Sequence, residues 1–465
     1  MDMFAGNEGS MVWLMTSTVL VWMIIPGIAL LYGGLARRKA AVSLLFQGFA
    51  VCAVGSFQYF FWGYSLAYAS TATSPFIGNL SNIGLRNVLA GPTGYLPELV
   101  FMLYQAYFAV CTTMLMVGGL FERARLLPTL ILAFFWQTIV YCPISHWTWT
   151  TVGWLNKMGA LDFAGGGPVH IASGSASLAC AVVLGVRHER GTGRRVAVHR
   201  PHNVTLVCLG TIMIWFGWYG FNGGSTLALN IKSIYAMCNT GFAASAGVIG
   251  SCTFDLITRR RFSLVSACEG VIAGLVAITP AAGYVPLWSS WIIGFVTAMI
   301  CAACGNLNDF MRVDEGLQVF KLHGIGGMLG SIFTGLFAAD YVVALDGTSA
   351  PGGWVSRNWI QLGYQLADLT SIAAYSFVVT ALLLYILNFI PGMRLRVSAE
   401  DEIRGLDYCE LKEETVGDWD AWHNETMTPP NGSFILGHAL GRHNTQQQAQ
   451  KEAAQEEATP PQPST

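Results

Sequence analysis

The chain is poor in charge. Only 11% of its 465 residues are Asp, Glu, Lys or Arg, against about a quarter in an ordinary soluble protein. A water-soluble domain of this length cannot cover its surface with so few charges, so lipid is the main solvent. The net charge of −2 leaves no electrostatic footprint for nucleic acid. The absence of a Gly-x-x-x-x-Gly-Lys-Ser/Thr loop argues against an ATP-driven pump. His-Glu-x-x-His and Gly-x-Ser-x-Gly are also missing, which weakens the case for an intramembrane enzyme. Residues 1–10 carry two acids and no base, whereas a cleaved signal peptide needs a basic start; the first apolar run is expected to be retained. The 11 cysteines are odd in number and mostly sit inside apolar runs, so they read as small hydrophobes, the Cys301-x-x-Cys304 pair included, and not as a disulfide framework.

What the chain has instead is hydrophobic length. Residues from the apolar and aromatic set make up 53% of it. Runs long enough to cross a bilayer fall at 11–34, 41–67, 98–121, 127–144, 164–186, 204–224, 234–257, 263–282, 287–305, 319–339 and 363–391. The reading is an all-α integral membrane protein of eleven transmembrane helices. One set of loops holds Arg37, Arg38, Lys39, Arg123, Arg125, Arg187, Arg190, Arg194, Arg195, Arg200, Arg259, Arg260, Arg261, Arg312, Arg394 and Arg396; the other holds only Arg86, Lys157, Lys232 and Arg357. Basic loops stay in the cytoplasm, which places the N-terminus outside and the C-terminus inside. Asn79-Leu80-Ser81 then lies in an external loop as a glycan acceptor. The chain divides into an extracellular N-terminus (1–10), a membrane domain (11–391), a cytoplasmic tail (392–444) and a Gln-, Ala- and Pro-rich end expected to be disordered (445–465).

Ionisable groups at bilayer depth are expensive and functional by default. His170, in Gly165-Gly166-Gly167-Pro168-Val169-His170, lies in the fifth run. His323, in Lys321-Leu322-His323-Gly324-Ile325-Gly326-Gly327, lies in the tenth. If runs one to five and six to ten are two copies, the histidines are equivalent; an odd repeat is inverted in the membrane, which brings them together near the midplane. The alternative is two unrelated core histidines bonded to backbone carbonyls, and the residues alone leave both standing. Burial disfavours a charged imidazole, so a neutral pair would offer one donor and one acceptor per ring. Ammonia and water suit such a pair; a metal finds no third ligand nearby. The aromatics Trp147, Trp149, Tyr104, Tyr107, Phe108, Trp218, Tyr219 and Phe221 gather toward the external ends. Singly they are interfacial belt residues; together around an entrance they can hold a small cation over their π faces, with Ser225 accepting an N–H bond.

Four segments resemble the ammonium transporter superfamily (Amt/Mep/Rh), most closely its fungal methylammonium permeases: Glu122-Arg123-Ala124-Arg125, Asp162 through His170, Gly217-Trp218-Tyr219-Gly220-Phe221-Asn222-Gly223-Gly224-Ser225, and His323 through Gly327. The resemblance covers residues 10–415. It implies two inverted five-helix repeats plus a C-terminal helix, a homotrimer with one pore per subunit, a plasma-membrane setting, ammonium or methylammonium as substrate, and no cofactor. It implies an external recruitment site of Trp149, Phe108 and Ser225, a phenyl gate of Phe108 and Phe221, and a pore relay of His170 and His323. Asp162 would orient the recruitment site without touching substrate. In the tail, Gly405, Asp407 and Glu410 match the segment that regulates pore opening, and a sensor role is the alternative class. Departures from the family's pattern are Thr150 and Thr151 where glycines are frequent, and Tyr104 where phenylalanine is. A channel for water or carbon dioxide is the runner-up among transport roles, although a neutral solute has no need of the Trp149 and Ser225 vestibule.

Overall fold

The computed structural model of the chain describes residues 6–93, 96–188 and 201–413. The tail beyond 413, including the expected disordered end at 445–465, and Arg190, Arg194, Arg195 and Arg200 lie outside the described residues. Eleven long helices carry the architecture: α1 (Glu8–Leu35), α2 (Ala41–Gln58, running on through Tyr59–Gly63 and Tyr64–Tyr68), α3 (Glu98–Val117), α4 (Leu126–Trp136, Gln137–Tyr141 and Cys142–Trp149), α5 (Gly166–Ile171 and Ala172–Leu184), α6 (Val204–Gly223), α7 (Ile231–Arg259), α8 (Leu264–Ile278), α9 (Leu287–Ala303), α10 (Phe320–Ile325 and Gly326–Phe337) and α11 (Gln361–Phe389). Among the described residues nine spans are long and apolar enough to cross a membrane; α10, sharply bent from the short helix after it, makes a tenth, and α8 is shorter. Large apolar side chains such as Val19, Phe49, Phe216, Ile257, Val378 and Phe389 stand exposed along these helices, as lipid-facing residues must.

The helix ends follow the apolar runs, with one clear departure. The fourth run ends at 144 because Ser145 and His146 are polar, yet α4 continues to Trp149 with both residues buried. Trp147 and Trp149 are therefore its last residues and not part of a following loop.

Small residues set how the helices meet. A methyl built on Gly27 of α1 would lie 3.1 Å from the Gly210 carbonyl, and one built on Gly210 of α6 would lie 2.6 Å from the Gly27 carbonyl. The same backbone contact recurs seven residues on, where Gly34 faces Val207 and Gly217 faces Leu20 and Ile24. Such close crossings are how helices associate when lipid supplies no hydrophobic drive. Two further helices meet more tightly still. Gly174 of α5 and Gly324 of α10 touch backbone to backbone, so that no side chain fits between them.

The basic loop face is tied by a buried ionic cluster. Glu122 accepts from the Arg37 amide at 2.7 Å, from Arg37 Nε, and from Arg187 Nη1 at 2.9 Å. Arg187 forms a two-pronged pair with Asp314 (2.7 and 2.8 Å), and Arg123 Nη2 donates to the Asp314 carbonyl at 2.6 Å. A short tail helix, α12 (Ala399–Arg404), and the following turn Asp407–Leu411 lie against the same face. Asp407 accepts from the amides of Val42 (3.0 Å) and Ser43 (2.7 Å), and Glu410 from the amide of Leu126 (2.8 Å). Both carboxylates thus cap the first turns of α2 and α4, where free N–H groups and the helix dipole favour negative charge. Gly405 ends α12 at φ +117° with its α-carbon against Lys39. Lys39 Nζ donates to the Ile403 carbonyl.

Burial pushes the Asp314 carboxyl up, but Arg187 and Arg123 outweigh it and hold it below the usual carboxylate value. A lowered folded pKa contributes stability above the unfolded value, near pH 4, and loses it as pH falls through the folded one. Thermal melts of the purified protein in detergent should therefore drop steeply at acid pH. Asp314→Asn should flatten that acid limb and lower the neutral-pH stability by about 3 kcal/mol, because two arginines lose their buried counter-charge.

Candidate functional site

Three chambers lie in succession against the sequence-predicted residues. The outer one holds about 230 Å³ and is lined by Tyr68, Phe101, Gln105, Phe108, Trp149, Phe163, Ser225 and Leu227. Trp149, at the end of α4, is fixed by its Nε1, which donates to the Asp162 carbonyl at 3.2 Å. Ser225, in the turn after α6, donates its hydroxyl to the Phe221 carbonyl at 2.8 Å. With that proton spent, the Ser225 oxygen presents acceptor lone pairs to the chamber. Tyr104 explains its own departure from phenylalanine. Its hydroxyl reaches the Phe221 carbonyl at 2.7 Å and lies 3.3 Å from Ser225 Oγ, clamping this turn. Thr150 closes α4 by donating to the His146 carbonyl at 2.7 Å.

Below the chamber two phenyl rings bar the way. Phe108 and Phe221 are stacked with centroids 4.0 Å apart and planes at 20°, and both are buried. Phe221 continues the stack onto His170 (6.1 Å, 25°), which also lies flat on Trp218 at 5.2 Å. The two imidazoles meet. His170 Nδ1 and His323 Nδ1 are 3.2 Å apart, with ring centroids at 5.3 Å. A contact between two Nδ1 atoms requires one to carry the proton and the other to accept it, so the rings hold opposite tautomers. His170 Nε2 is buried and makes no hydrogen bond to the protein.

The local backbone explains this placement. Each histidine sits in a wide π turn, Gly166–Ile171 and Phe320–Ile325, at the same point of two different helices. Such turns mark functional positions because they re-aim side chains and loosen the ladder. Gly174 and Gly324 then draw the two turns together. Asp162 holds the first turn: its Oδ1 accepts from Gly165 (2.7 Å) and Gly166 (2.8 Å), and its Oδ2 from Gly167 (2.6 Å). Gly165 has φ +112°, a conformation that suits glycine. Asp162 is not among the residues lining the vestibule; it touches Trp149 through its backbone and the histidine segment through its carboxylate.

Two small chambers flank His323, each of about 20 Å³ and so with room for about one water molecule. The first is lined by His170, Trp218, Phe221 and aliphatic residues. The second lies beyond His323 and includes Cys268, Leu317 and Glu269. Tyr32, Leu31, Ile272 and His323 border both and form the neck between them. Sequence reasoning missed Tyr32, Glu269 and Asp368. The last is buried in α11, with neither carboxyl oxygen hydrogen-bonded within the protein. A methyl built on Gly167 would lie 3.2 Å from Asp162 Oδ2 and 3.4 Å from Asp368 Oδ2, so the two carboxyls are neighbours. The signal for Asp368 was in the sequence, as an acid inside an apolar run. Among the described residues no group of three or more His, Cys, Asp or Glu is placed to hold a metal ion.

Comparison with known proteins adds an independent line. The family described as the Ammonium Transporter Family matches residues 12–416. Ammonium transporter 1 of Schizosaccharomyces pombe is 49% identical over 412 residues, covering 88% of this chain and 82% of that protein. Ammonium transporter MEP2 of Saccharomyces cerevisiae is 44% identical over 425 residues, 90% of this chain and 85% of its own length. The crystal structure of Candida albicans Mep2 superposes with a TM-score of 0.83 at 45% identity, covering 93% of this chain and 94% of that one.

The glycine contact under the histidines is open to test. Gly174→Val inserts a branched side chain where backbone meets backbone. We expect it to wedge the π turns apart and lower stability by about 3 kcal/mol or more, read as a fall in detergent melting temperature. Val183→Ala, at a partly exposed position of the same helix, should shift the melt far less.

Proposed function

The chain belongs to the ammonium transporter family, and from that premise we propose how its path conducts. Ammonium enters the outer chamber, trades water for the faces of Trp149 and Phe108, and donates an N–H to Ser225. Moving the intact ion deeper is unfavourable, since the idealised Born penalty for an ion of this size is on the order of 20 kcal/mol. The closed phenyl pair and the two one-water chambers leave no room for a hydration shell to travel with it. One N–H bond therefore breaks in the vestibule, its proton forming a new O–H bond to water in that chamber, and neutral ammonia passes Phe108 and Phe221. It is then handed from His170 Nε2 along the imidazole pair to His323. The observation that carries this reading is the 3.2 Å contact between two buried imidazoles directly beneath a stacked phenyl gate. A neutral solute such as carbon dioxide would need neither the aromatic cup nor the Ser225 acceptor.

The separated proton follows by its own route, giving net charge movement. On the same reading the eleven helices all span the plasma membrane as two inverted five-helix repeats plus α11. The N-terminus lies outside, the tail inside, and the protein is a homotrimer with one path per subunit. The contacts of Asp407 and Glu410 with α2 and α4, and of Gly405 with Lys39 just before α2, support a regulatory tail, and the same surface would serve a sensor role.

Vesicles reconstituted with the protein should pass current when ammonium is added at fixed pH; uptake of labelled methylammonium without current would reject charge movement while leaving ammonia conduction in place. His170→Ala should reduce uptake at least about tenfold, or forfeit ammonium-over-potassium selectivity, by removing a partner that a buried solute needs. Unchanged rate and selectivity would reject the relay.

A further inference from the structure

The innermost chamber is almost wholly apolar, and the one carboxylate among the described residues lining it belongs to Glu269 of α8. Glu269 is 30% exposed, so part of its side chain stays accessible while it lines the chamber. Its Oε2 lies 2.9 Å from Nζ of Lys321, a buried side chain two residues before His323 in the same π turn. The backbone of Lys321 is anchored to α9, since Cys301 Sγ donates to its carbonyl at 3.4 Å. A lysine head group is a substituted ammonium with three N–H donors on a tetrahedral nitrogen. Its position against Glu269 marks a place that accepts such a group.

We propose that Glu269 is an inner cation site for ammonium-class ligands, held in the resting protein by the Lys321 side chain as a built-in competitor. This deepens the conduction reading above and rests on it. A solute leaving His323 toward the inner face meets Glu269, the only carboxylate among the described residues lining that chamber. Ammonia arriving there takes a proton from the hydrated protons of the inner solution. One N–H bond forms, one O–H bond breaks, and nothing is oxidised or reduced. The new ammonium is neutralised by Glu269 as Lys321 swings aside, and it leaves by the solvent-facing side. Taken in reverse, the site is where cytoplasmic ammonium first binds. It is distinct from the outer chamber, from which the phenyl pair and both histidines separate it.

The test uses the full chain in right-side-out and inside-out membrane vesicles, with labelled methylammonium as the probe, so that half-saturation is measured from each face. Glu269→Gln should raise half-saturation from the inner face about tenfold, the loss expected for one charge-assisted partner, and leave the outer value unchanged. Lys321→Met should lower the inner value by removing the competitor, an improvement that no misfolded variant can show. A strut that merely holds α8 to α10 predicts instead that both variants impair both faces alike, and that result would overturn the proposal. Inner values unmoved by either substitution would overturn it too. Failure of the conduction reading looks different: the unsubstituted protein would then take up no methylammonium from either face.

Discussion

The path depends on a contact that carries no chemistry, the meeting of Gly174 and Gly324. Lipid gives two apolar helices no reason to approach, so their distance is set by what stands between their backbones. Here nothing does. That closeness lets the two π turns face each other and brings His170 Nδ1 to 3.2 Å from His323 Nδ1. The stacking of Trp218, His170, Phe221 and Phe108 is built outward from this point. Asp162 then fixes the start of the first turn through three amides and, through its own carbonyl, the indole of the vestibule.

Electrostatics and geometry act together along the path. Polar groups stand at its two ends, Ser225 beside Trp149 in the outer chamber and Glu269 paired with Lys321 at the innermost one. In between, the lining is aromatic, aliphatic or imidazole, and each chamber admits about one small molecule. Buried carboxyls lie behind this lining: Asp162 accepts from three amides, and Asp368 is its neighbour. The ionic cluster of Glu122, Arg37, Arg187, Asp314 and Arg123 belongs to the loop face and lines none of the three chambers.

Much of this was legible in the residues, for physical reasons that differ from element to element. Apolar length located the helices because lipid imposes it, and α4 outran its run furthest, since Ser145 and His146 are buried among other helices. The sequence leaves the pairing of His170 with His323 as one of two readings, because periodicity carries no distance; the 3.2 Å contact between their Nδ1 atoms decides it. Trp149, Phe108 and Ser225 line one chamber and Phe221 the next, while Asp162 lines neither. Tyr32, Glu269 and Asp368 were not picked out. Tyrosine in an apolar run reads as packing, and single acids in runs eight and eleven were overlooked beside the two histidines. The glycine crossings were visible as composition, but which glycine faces which is a tertiary fact.

The caps on α2 and α4 bear on how the protein is made. The amides of Val42 and Ser43 receive their acceptor from a residue 364 to 365 positions later, and that of Leu126 from one 284 positions later. Both helices leave the ribosome and enter the bilayer long before Asp407 and Glu410 have been translated. Until then water must satisfy those amides, which keeps both helix starts at the membrane surface and loosely held. The last described segment to be synthesised is thus the one that locks two of the earliest helices, so that a prematurely terminated chain is left with its first hairpins unfastened.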